Sequence, residues 1–125
     1  MVKSLLIVGI GGFIGTVARF VIARYFQYNV PSVFPWSTFI VNIAGCLLIG
    51  LIYGITEKGE FLSSDSRLFL TVGICGGFTT FSTFSNDSFL LVQEQEWFRL
   101  ALYTSLSVFL GLMAVYVGRL IIKLF

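Results

Sequence analysis

Phenyl rings and hydroxyl groups are mixed in one short stretch of this chain, residues 79–85, which reads Thr-Thr-Phe-Ser-Thr-Phe-Ser. Phe81 and Phe84 are three residues apart and therefore share one face of a helix. A phenyl ring is electrically negative on its face and positive at its edge, so rings turned edge-on can surround a small anion without binding it tightly. The hydroxyls of Ser82 and Thr83 add hydrogen-bond donors beside the rings. These residue types predict a path for a small anion.

Two further polar pairs interrupt apolar segments. Asn42 follows Thr38 by four residues, and Ser107 follows Tyr103 by four, so each pair lies on one helix face. The amide of Asn42 can donate two hydrogen bonds to an anion, or it can bridge to a neighbouring helix. The stripe formed by Tyr103 and Ser107 is compatible either with helix packing or with the wall of a path. From the residues alone, both alternatives stay open.

The residue types that support catalysis or transition-metal binding are missing from the sequence. It has no histidine, its two cysteines lie apart inside apolar segments, and its acidic residues are not grouped at ligand spacing. No candidate nucleophile therefore has a basic partner, and a zinc site has no ligands. A net charge of +2 without a basic cluster does not indicate a nucleic-acid partner. We predict that the chain is not an enzyme, carries no organic cofactor and binds no nucleic acid.

The composition is that of an integral membrane protein. Of the 125 residues, 57% are hydrophobic and 11% are charged, and the mean hydropathy is +0.95, whereas about a quarter of the residues in an ordinary soluble domain are charged. Four apolar segments have the length of about 20 residues that a helix needs to cross a lipid bilayer. We therefore predict an all-α membrane protein with one four-helix transmembrane domain over residues 1–125 and both termini on one side. The predicted helices are residues 5–26, 36–55, 68–92 and 98–120.

Gly76 and Gly77 interrupt the third apolar segment just before the phenylalanine run. Each glycine weakens a helix by about 1 kcal/mol relative to alanine, so the third helix is predicted to break near this pair. A break at membrane depth frees backbone groups that need new partners, and such breaks are frequent where ions or substrates bind. The alternative is that the glycines allow close helix packing and that the nearby hydroxyls bond back to helix carbonyls.

Charged residues also occur within the apolar segments. Arg19 falls before the end of the first segment, where its side chain either reaches the membrane surface or faces an aqueous vestibule. Asp87, near the far end of the third segment, either faces water or borders the mouth of a pore. Thr38 lies on the helix face of Asn42. We assign Arg19, Thr38 and Asp87 to a possible vestibule.

A family resemblance rests on three motifs: Gly76-Gly-Phe-Thr-Thr-Phe-Ser-Thr-Phe-Ser85, Gly12-x-x-Gly15-x-x-x-Arg19-Phe20 and Val41-Asn42-x-x-Gly45. Together they closely resemble the Fluc (CrcB-type) fluoride channels of microorganisms, and the resemblance covers the whole chain. It implies a fluoride-selective channel that passively exports fluoride and lowers its toxicity in the cytoplasm. It also implies a multi-pass protein of the plasma (inner) membrane, built as a dual-topology homodimer of oppositely inserted subunits with two pores.

The resemblance implies roles for individual residues as well. The family's pore phenylalanines and pore asparagine match Phe81, Phe84 and Asn42. Its structural Na⁺ is held by backbone carbonyls, which by position are those of Gly76 and Thr79 in each subunit. The family's tyrosine and serine track matches Tyr103 and Ser107. Its vestibule hydroxyl matches Ser82, and its adjacent pore threonine matches Thr83.

A small proton-coupled exporter of drugs or cations is the alternative function for a short four-helix chain. Such an exporter usually needs an acidic residue deep in a helix to bind a proton or a cation. The first helix here offers Arg19 and no acid, and Asp87 stands where some fluoride channels have a vestibule glutamate. The lack of an acid in the first helix argues against the exporter.

The cationic residues are unevenly divided between the two sides of the membrane. Arg24 and Arg99 lie on the side opposite the termini, and a larger set lies on the side of the termini. Such a bias favours termini inside the cytoplasm, whereas a dual-topology protein would need a more even balance. The larger set is Lys3, Lys58, Arg67, Arg119 and Lys123.

Overall fold

Four long helices make up the fold in the computed structural model, which describes residues 1–59 and 62–125. They are α1, Val2–Asn29; α2, Trp36–Glu57; α3, Ser64–Gln93; and α4, Trp97–Leu124. Each is long and apolar enough to cross a membrane, which confirms the predicted four-span architecture. The helices extend beyond the predicted bounds at most ends, because helical structure continues past the apolar core into the polar flanks.

The third helix is not continuous. Its first half, α3a (residues 64–78), begins at Ser63, whose hydroxyl caps the helix by accepting a hydrogen bond from the N–H of Ser66 at 3.1 Å. It passes through a π-helical stretch at Phe69–Cys75 and one α-helical turn at Gly76–Phe78. The second half, α3b, is Phe81–Gln93.

The break lies between these halves, at Thr79 and Thr80, whose ψ angles of 158° and 124° are those of an extended chain. A break in the third helix is thus confirmed, but Gly76 and Gly77 themselves are helical. The glycines have another use, because a Cβ atom added to Gly77 would lie 2.6 Å from the carbonyl oxygen of Gly12. The close packing that the sequence offered as the alternative therefore occurs as well.

Glycines bring the helices together in two pairs, α1 with α3a and α2 with α4. A Cβ atom on Gly15 of α1 would lie 2.1 Å from the carbonyl oxygen of Ile74 in α3a. A Cβ atom on Gly50 of α2 would lie 2.3 Å from the carbonyl oxygen of Val115 in α4. Both distances are far below van der Waals contact, so only glycine allows these backbones to approach so closely.

About half of the large apolar side chains are exposed in the isolated subunit, as expected where lipid rather than water surrounds the helices. Phe13 of α1 and Leu112 of α4 are 71% and 68% exposed in the isolated subunit. The hydrophobic residues that are buried among the described residues are few: Val41, Ile52, Cys75, Leu91 and Tyr103.

Candidate functional site

A cavity of about 350 Å³ lies beside the break in α3, between α2, α3b and α4. Its wall brings together four of the predicted pore residues, which are distant in the sequence. Two of them carry phenyl rings, one carries an amide and one carries a hydroxyl. They are Phe81, Phe84, Asn42 and Ser107.

Asn42 joins α2 to the broken backbone. Its Nδ2 donates a hydrogen bond to the carbonyl oxygen of Thr80 at 3.0 Å, and its Oδ1 accepts one from the N–H of Thr80 at 2.8 Å. The interhelical bridge that the sequence left as an alternative is therefore present. Because a side-chain amide has two N–H donors, one donor remains beyond this bridge, on a side chain that lines the cavity.

Thr80 also begins α3b through its side chain. Its Oγ1 accepts a hydrogen bond from the N–H of Thr83 at 3.2 Å, as a helix N-cap does. The hydroxyls of Ser82 and Thr83 lie 3.3 Å and 3.2 Å from the same oxygen. Ser82 and Thr83 thus cluster at the cap, and neither is among the residues on the cavity wall.

Thr80 was missed as a functional position in the sequence. The available signal was local, because threonine is one of the residues preferred at the N-cap of a helix. Its backbone contact with Asn42 joins residues 38 positions apart, and no sequence pattern indicates that contact.

The two phenylalanines pack beside each other as predicted from their spacing. The ring centroids of Phe81 and Phe84 are 5.9 Å apart, with an angle of 41° between the ring planes. Phe81 is 78% exposed in the single subunit, whereas Phe84 is half-buried and packs on the ring of Tyr103 at 5.0 Å. One ring is therefore fixed within the subunit, and the other stands at its surface.

Tyr103 and Ser107 occupy different environments although they share a face of α4. The Tyr103 side chain is fully buried, and its hydroxyl donates a hydrogen bond to Oδ2 of Asp87 at 3.2 Å. The Oγ of Ser107 is buried on the cavity wall, and it has no hydrogen-bond partner among the described residues. A buried hydroxyl without a partner is costly, so this one is available to a bound molecule or ion.

A second cavity, of about 370 Å³, lies under the connection between α1 and α2. Thr38 and Asp87 both contribute to its wall, so two of the three predicted vestibule residues lie together. Arg19 lies elsewhere: its Nε donates a hydrogen bond to the carbonyl oxygen of Gly77 at 3.1 Å. Arg19 therefore supplies a donor to the backbone at the end of α3a.

The break removes the usual helical donors of the backbone carbonyls of residues 76–79. In a continuous helix the N–H of Thr80 would donate to Gly76, and the N–H of Thr83 would donate to Thr79. Here those two N–H groups bond to Oδ1 of Asn42 and to Oγ1 of Thr80. The carbonyl groups of Gly76 and Thr79 therefore lose these helical donors, and the carbonyl of Gly77 accepts from Arg19 instead.

The fold and the site define a four-span membrane protein with a broken third helix and a cavity lined by phenyl rings, an amide and a hydroxyl. The chain belongs to the CrcB-like protein family, Camphor Resistance (CrcB), whose family model matches residues 6–119. This assignment confirms the resemblance found in the sequence.

Proteins similar to this chain over its full length are named as channels. A fluoride-specific ion channel FluC of Flavobacterium psychrophilum is 46% identical over 121 residues, which cover 97% of this chain and 98% of the relative. Proteins of the same name from Azobacteroides pseudotrichonymphae and Chlorobium luteolum are 39% identical over 125 residues and 43% identical over 120 residues. These cover 100% and 96% of this chain, and 100% and 92% of the relatives.

Proposed function

We propose that this protein is a fluoride-selective channel of the plasma membrane, through which fluoride leaves the cell passively. The observation that carries the proposal is the cavity beside the α3 break, where Asn42, Phe81, Phe84 and Ser107 converge. The relatives named fluoride-specific ion channels support the same ion. The channel would lower the concentration of toxic fluoride in the cytoplasm without coupling to another gradient.

The cavity offers partial replacements for the water that fluoride loses. The second N–H of Asn42 and the unpartnered hydroxyl of Ser107 are donors, and the edges of the Phe81 and Phe84 rings are weakly positive. None of the described residues on this wall is charged. An anion is therefore stabilised enough to enter but is not held by a full positive charge, which is the balance that conduction requires.

The membrane potential supplies the driving force. Hydrogen fluoride that enters from an acidic medium ionises in a more neutral cytoplasm, and the anion is trapped there. A negative interior favours exit of one negative charge by about 2.3 kcal/mol at 100 mV. An open path is sufficient for export under these conditions.

The functional unit we propose is a dual-topology homodimer with two pores. The exposed ring of Phe81 and the exposed position of Gly76 at the break support a second subunit on this side, which would complete the wall of each pore. A structural Na⁺ fits the carbonyl groups of Gly76 and Thr79, because the break has removed their helical donors. One such pair from each subunit would supply four oxygen ligands, the ligand type that hard cations prefer.

Fluoride efflux from liposomes tests the function. Purified protein is reconstituted with internal fluoride, and a fluoride electrode follows efflux after an ionophore removes the opposing potential. We expect rapid fluoride efflux, no chloride efflux, and a loss of fluoride efflux of at least about tenfold for Phe81→Ile, since ring edges would be replaced by neutral methyl groups. Phe109→Ile, a 59% exposed position on α4 away from the cavity, is the matched control.

Absence of fluoride efflux from folded protein would contradict the proposal. Transport of drugs or cations driven by a proton gradient would instead support the exporter. The orientation of the subunits is tested separately, by labelling a single cysteine introduced near one terminus with an impermeant thiol reagent in cells. Dual topology predicts labelling of about half of the sites, and the charge bias towards one orientation predicts nearly all or none.

A further inference from the structure

Aromatic rings form a continuous series from the candidate pore to the connection between α1 and α2. Phe84 packs on Tyr103 with a centroid distance of 5.0 Å, and Tyr103 packs on Phe34 at 5.5 Å. The Phe34 and Tyr103 rings meet at 82°, an edge-to-face arrangement. Phe34 then contacts Phe39 at 5.6 Å and Trp36 at 4.6 Å. The site already described uses the first two of these rings and leaves the others without a role.

Phe34 is the member of this series that no helix holds in place. Instead, hydrogen bonds fix the backbone on both sides of its ring. The N–H of Phe34 donates to Oγ of Ser32 at 3.2 Å, and the carbonyl oxygen of Phe34 accepts from the N–H of Trp36 at 2.9 Å. Pro35, next in the chain, restricts the backbone further. These local bonds orient the Phe34 backbone within the connection.

Phe34 lies between two spaces at this end of the molecule, together with Ser32 and Trp36. On one side is the cavity of about 370 Å³ that includes Thr38 and Asp87. On the other side is an apolar cleft of about 450 Å³ that includes Phe98 and Leu102. Phe34 borders both. A smaller side chain at this position would remove the edge-to-face contact with the Tyr103 ring.

We infer that Phe34 is a positioning residue of the conduction path, which holds the Tyr103 ring against Phe84 from the α1–α2 connection. The inference rests on the proposed fluoride conduction. The hydroxyl of Tyr103 donates a hydrogen bond to Asp87, which fixes the tip of the side chain. The orientation of the ring itself depends on its packing against the rings around it. Because Phe84 packs on Tyr103, loss of Phe34 changes the position of a pore ring that Phe34 does not touch.

Two readouts on full-length protein test this inference. In liposomes, Phe34→Ala is expected to lower the rate of fluoride efflux about threefold to tenfold, the factor that corresponds to the energy of one aromatic pair. Phe34→Tyr keeps the ring and is expected to keep the rate. Phe98→Ala is the matched control, because Phe98 lines the same cleft and is 76% exposed but belongs to none of the ring contacts given for Tyr103.

The second readout does not depend on transport. The five tyrosines are replaced by fluorotyrosine, and the fluorine NMR signal of Tyr103 is assigned by its loss in Tyr103→Phe. Phe34→Ala is expected to shift or broaden the Tyr103 signal and to leave the other four unchanged, whereas Phe98→Ala leaves all five unchanged. If Phe34 served only the overall folding of the protein, Phe34→Ala would shift the signals of several tyrosines together.

The outcomes separate the inference from the proposed function. Wild-type efflux in Phe34→Ala, or an unchanged Tyr103 signal, overturns the inference. If the wild-type protein itself conducts no fluoride, the proposed function fails, while the Tyr103 signal still decides whether Phe34 holds that ring. If Phe34→Ala does not fold, Ser32→Ala replaces it, since this change removes the hydrogen bond to the Phe34 N–H and is expected to give a smaller shift in the same signal.

Discussion

The two halves of the third helix are built in different ways. α3a packs its backbone against α1 through glycines on both helices and buries Thr71, Gly73 and Cys75. α3b has one buried residue, Leu91, and is joined to α2 through the Thr80 backbone and to α4 through contacts of Phe84 and Asp87 with Tyr103. The first half therefore fixes where the helix breaks, and the second half presents side chains to the cavity and to the subunit surface.

This difference explains how a break can exist at membrane depth. The N–H and carbonyl groups of Thr80 bond to Asn42, the carbonyl of Gly77 accepts from Arg19, and the first turn of α3b is capped by the Thr80 hydroxyl. Side chains from α1 and α2 thus replace several of the helical hydrogen bonds that the break removes. Substitutions at the α1–α3a contact, at the break, and then in α3b and the cavity are expected to reduce stability in that decreasing order.

The largest effect is expected from Gly15→Ala at the contact between α1 and α3a. The added methyl group would lie 2.1 Å from the carbonyl oxygen of Ile74, and both positions belong to backbones that cannot move independently. We expect the free energy of unfolding to fall by at least about 3 kcal/mol, which is at the upper end of the cost of overpacking. Little folded protein should remain after purification. Size-exclusion chromatography measures the amount of folded protein, and thermal unfolding in detergent measures its stability.

Gly9→Ala is the control for this change, because the added methyl group on the same helix would meet nothing within 4 Å. It is expected to behave as wild type or to be slightly more stable, since alanine favours the helix. If Gly15→Ala were as stable as Gly9→Ala, the close approach of α1 and α3a would be wrong.

Asn42→Ala is expected to have the next largest effect, because it disconnects the break from α2. It leaves the N–H and the carbonyl group of Thr80 without their partner, and each unsatisfied group costs about 1–3 kcal/mol. Fluoride efflux should also fall below detection, since the cavity loses its amide donor. Asn29→Ala is the comparison, because the Asn29 amide is exposed and bonds only within α1. Equal thermal stability of the two variants would contradict the bridge.

Thr80→Val tests the cap of α3b and should destabilise the protein less. Valine keeps the shape but loses the oxygen that accepts from the N–H of Thr83, and loss of an N-cap costs about 1 kcal/mol. Thr104→Val, which removes a hydroxyl bonded back to Leu100 within α4, should change stability much less. A midpoint of thermal unfolding that falls equally in both variants would argue against a specific cap.

The sequence predicted the four spans because length and hydropathy alone determine whether a helix can cross a bilayer. It also predicted a break in the third helix near Gly76 and Gly77, and the extended residues are Thr79 and Thr80, just after these glycines. Glycine propensity is a local signal, whereas the extended conformation of Thr80 depends on Asn42, 38 residues earlier. The π-helical stretch at Phe69–Cys75 was not predicted either, since nothing in its composition separates it from an ordinary apolar helix.

For the candidate site, the sequence named seven pore residues, and the structure brings four of them to one cavity wall. Asn42, Phe81, Phe84 and Ser107 do share one cavity. Tyr103, however, shares a helix face with Ser107 but is turned to Asp87 and buried. Helical spacing defines a face, and the packing of neighbouring helices decides which residues of that face border a space.

Ser107→Ala should change stability least while still affecting transport. The Oγ of Ser107 is buried without a hydrogen-bond partner, so its removal breaks no bond and relieves a desolvated polar group. We expect unchanged or slightly higher thermal stability, together with fluoride efflux that is lowered about threefold to tenfold, as for loss of one hydrogen bond to an ion. Ser105→Ala, whose exposed hydroxyl bonds back to Ala101, should leave efflux unchanged. Lower stability with normal efflux in Ser107→Ala would show that the hydroxyl serves packing within the subunit, and the cavity would then have to hold fluoride through Asn42 and the rings alone.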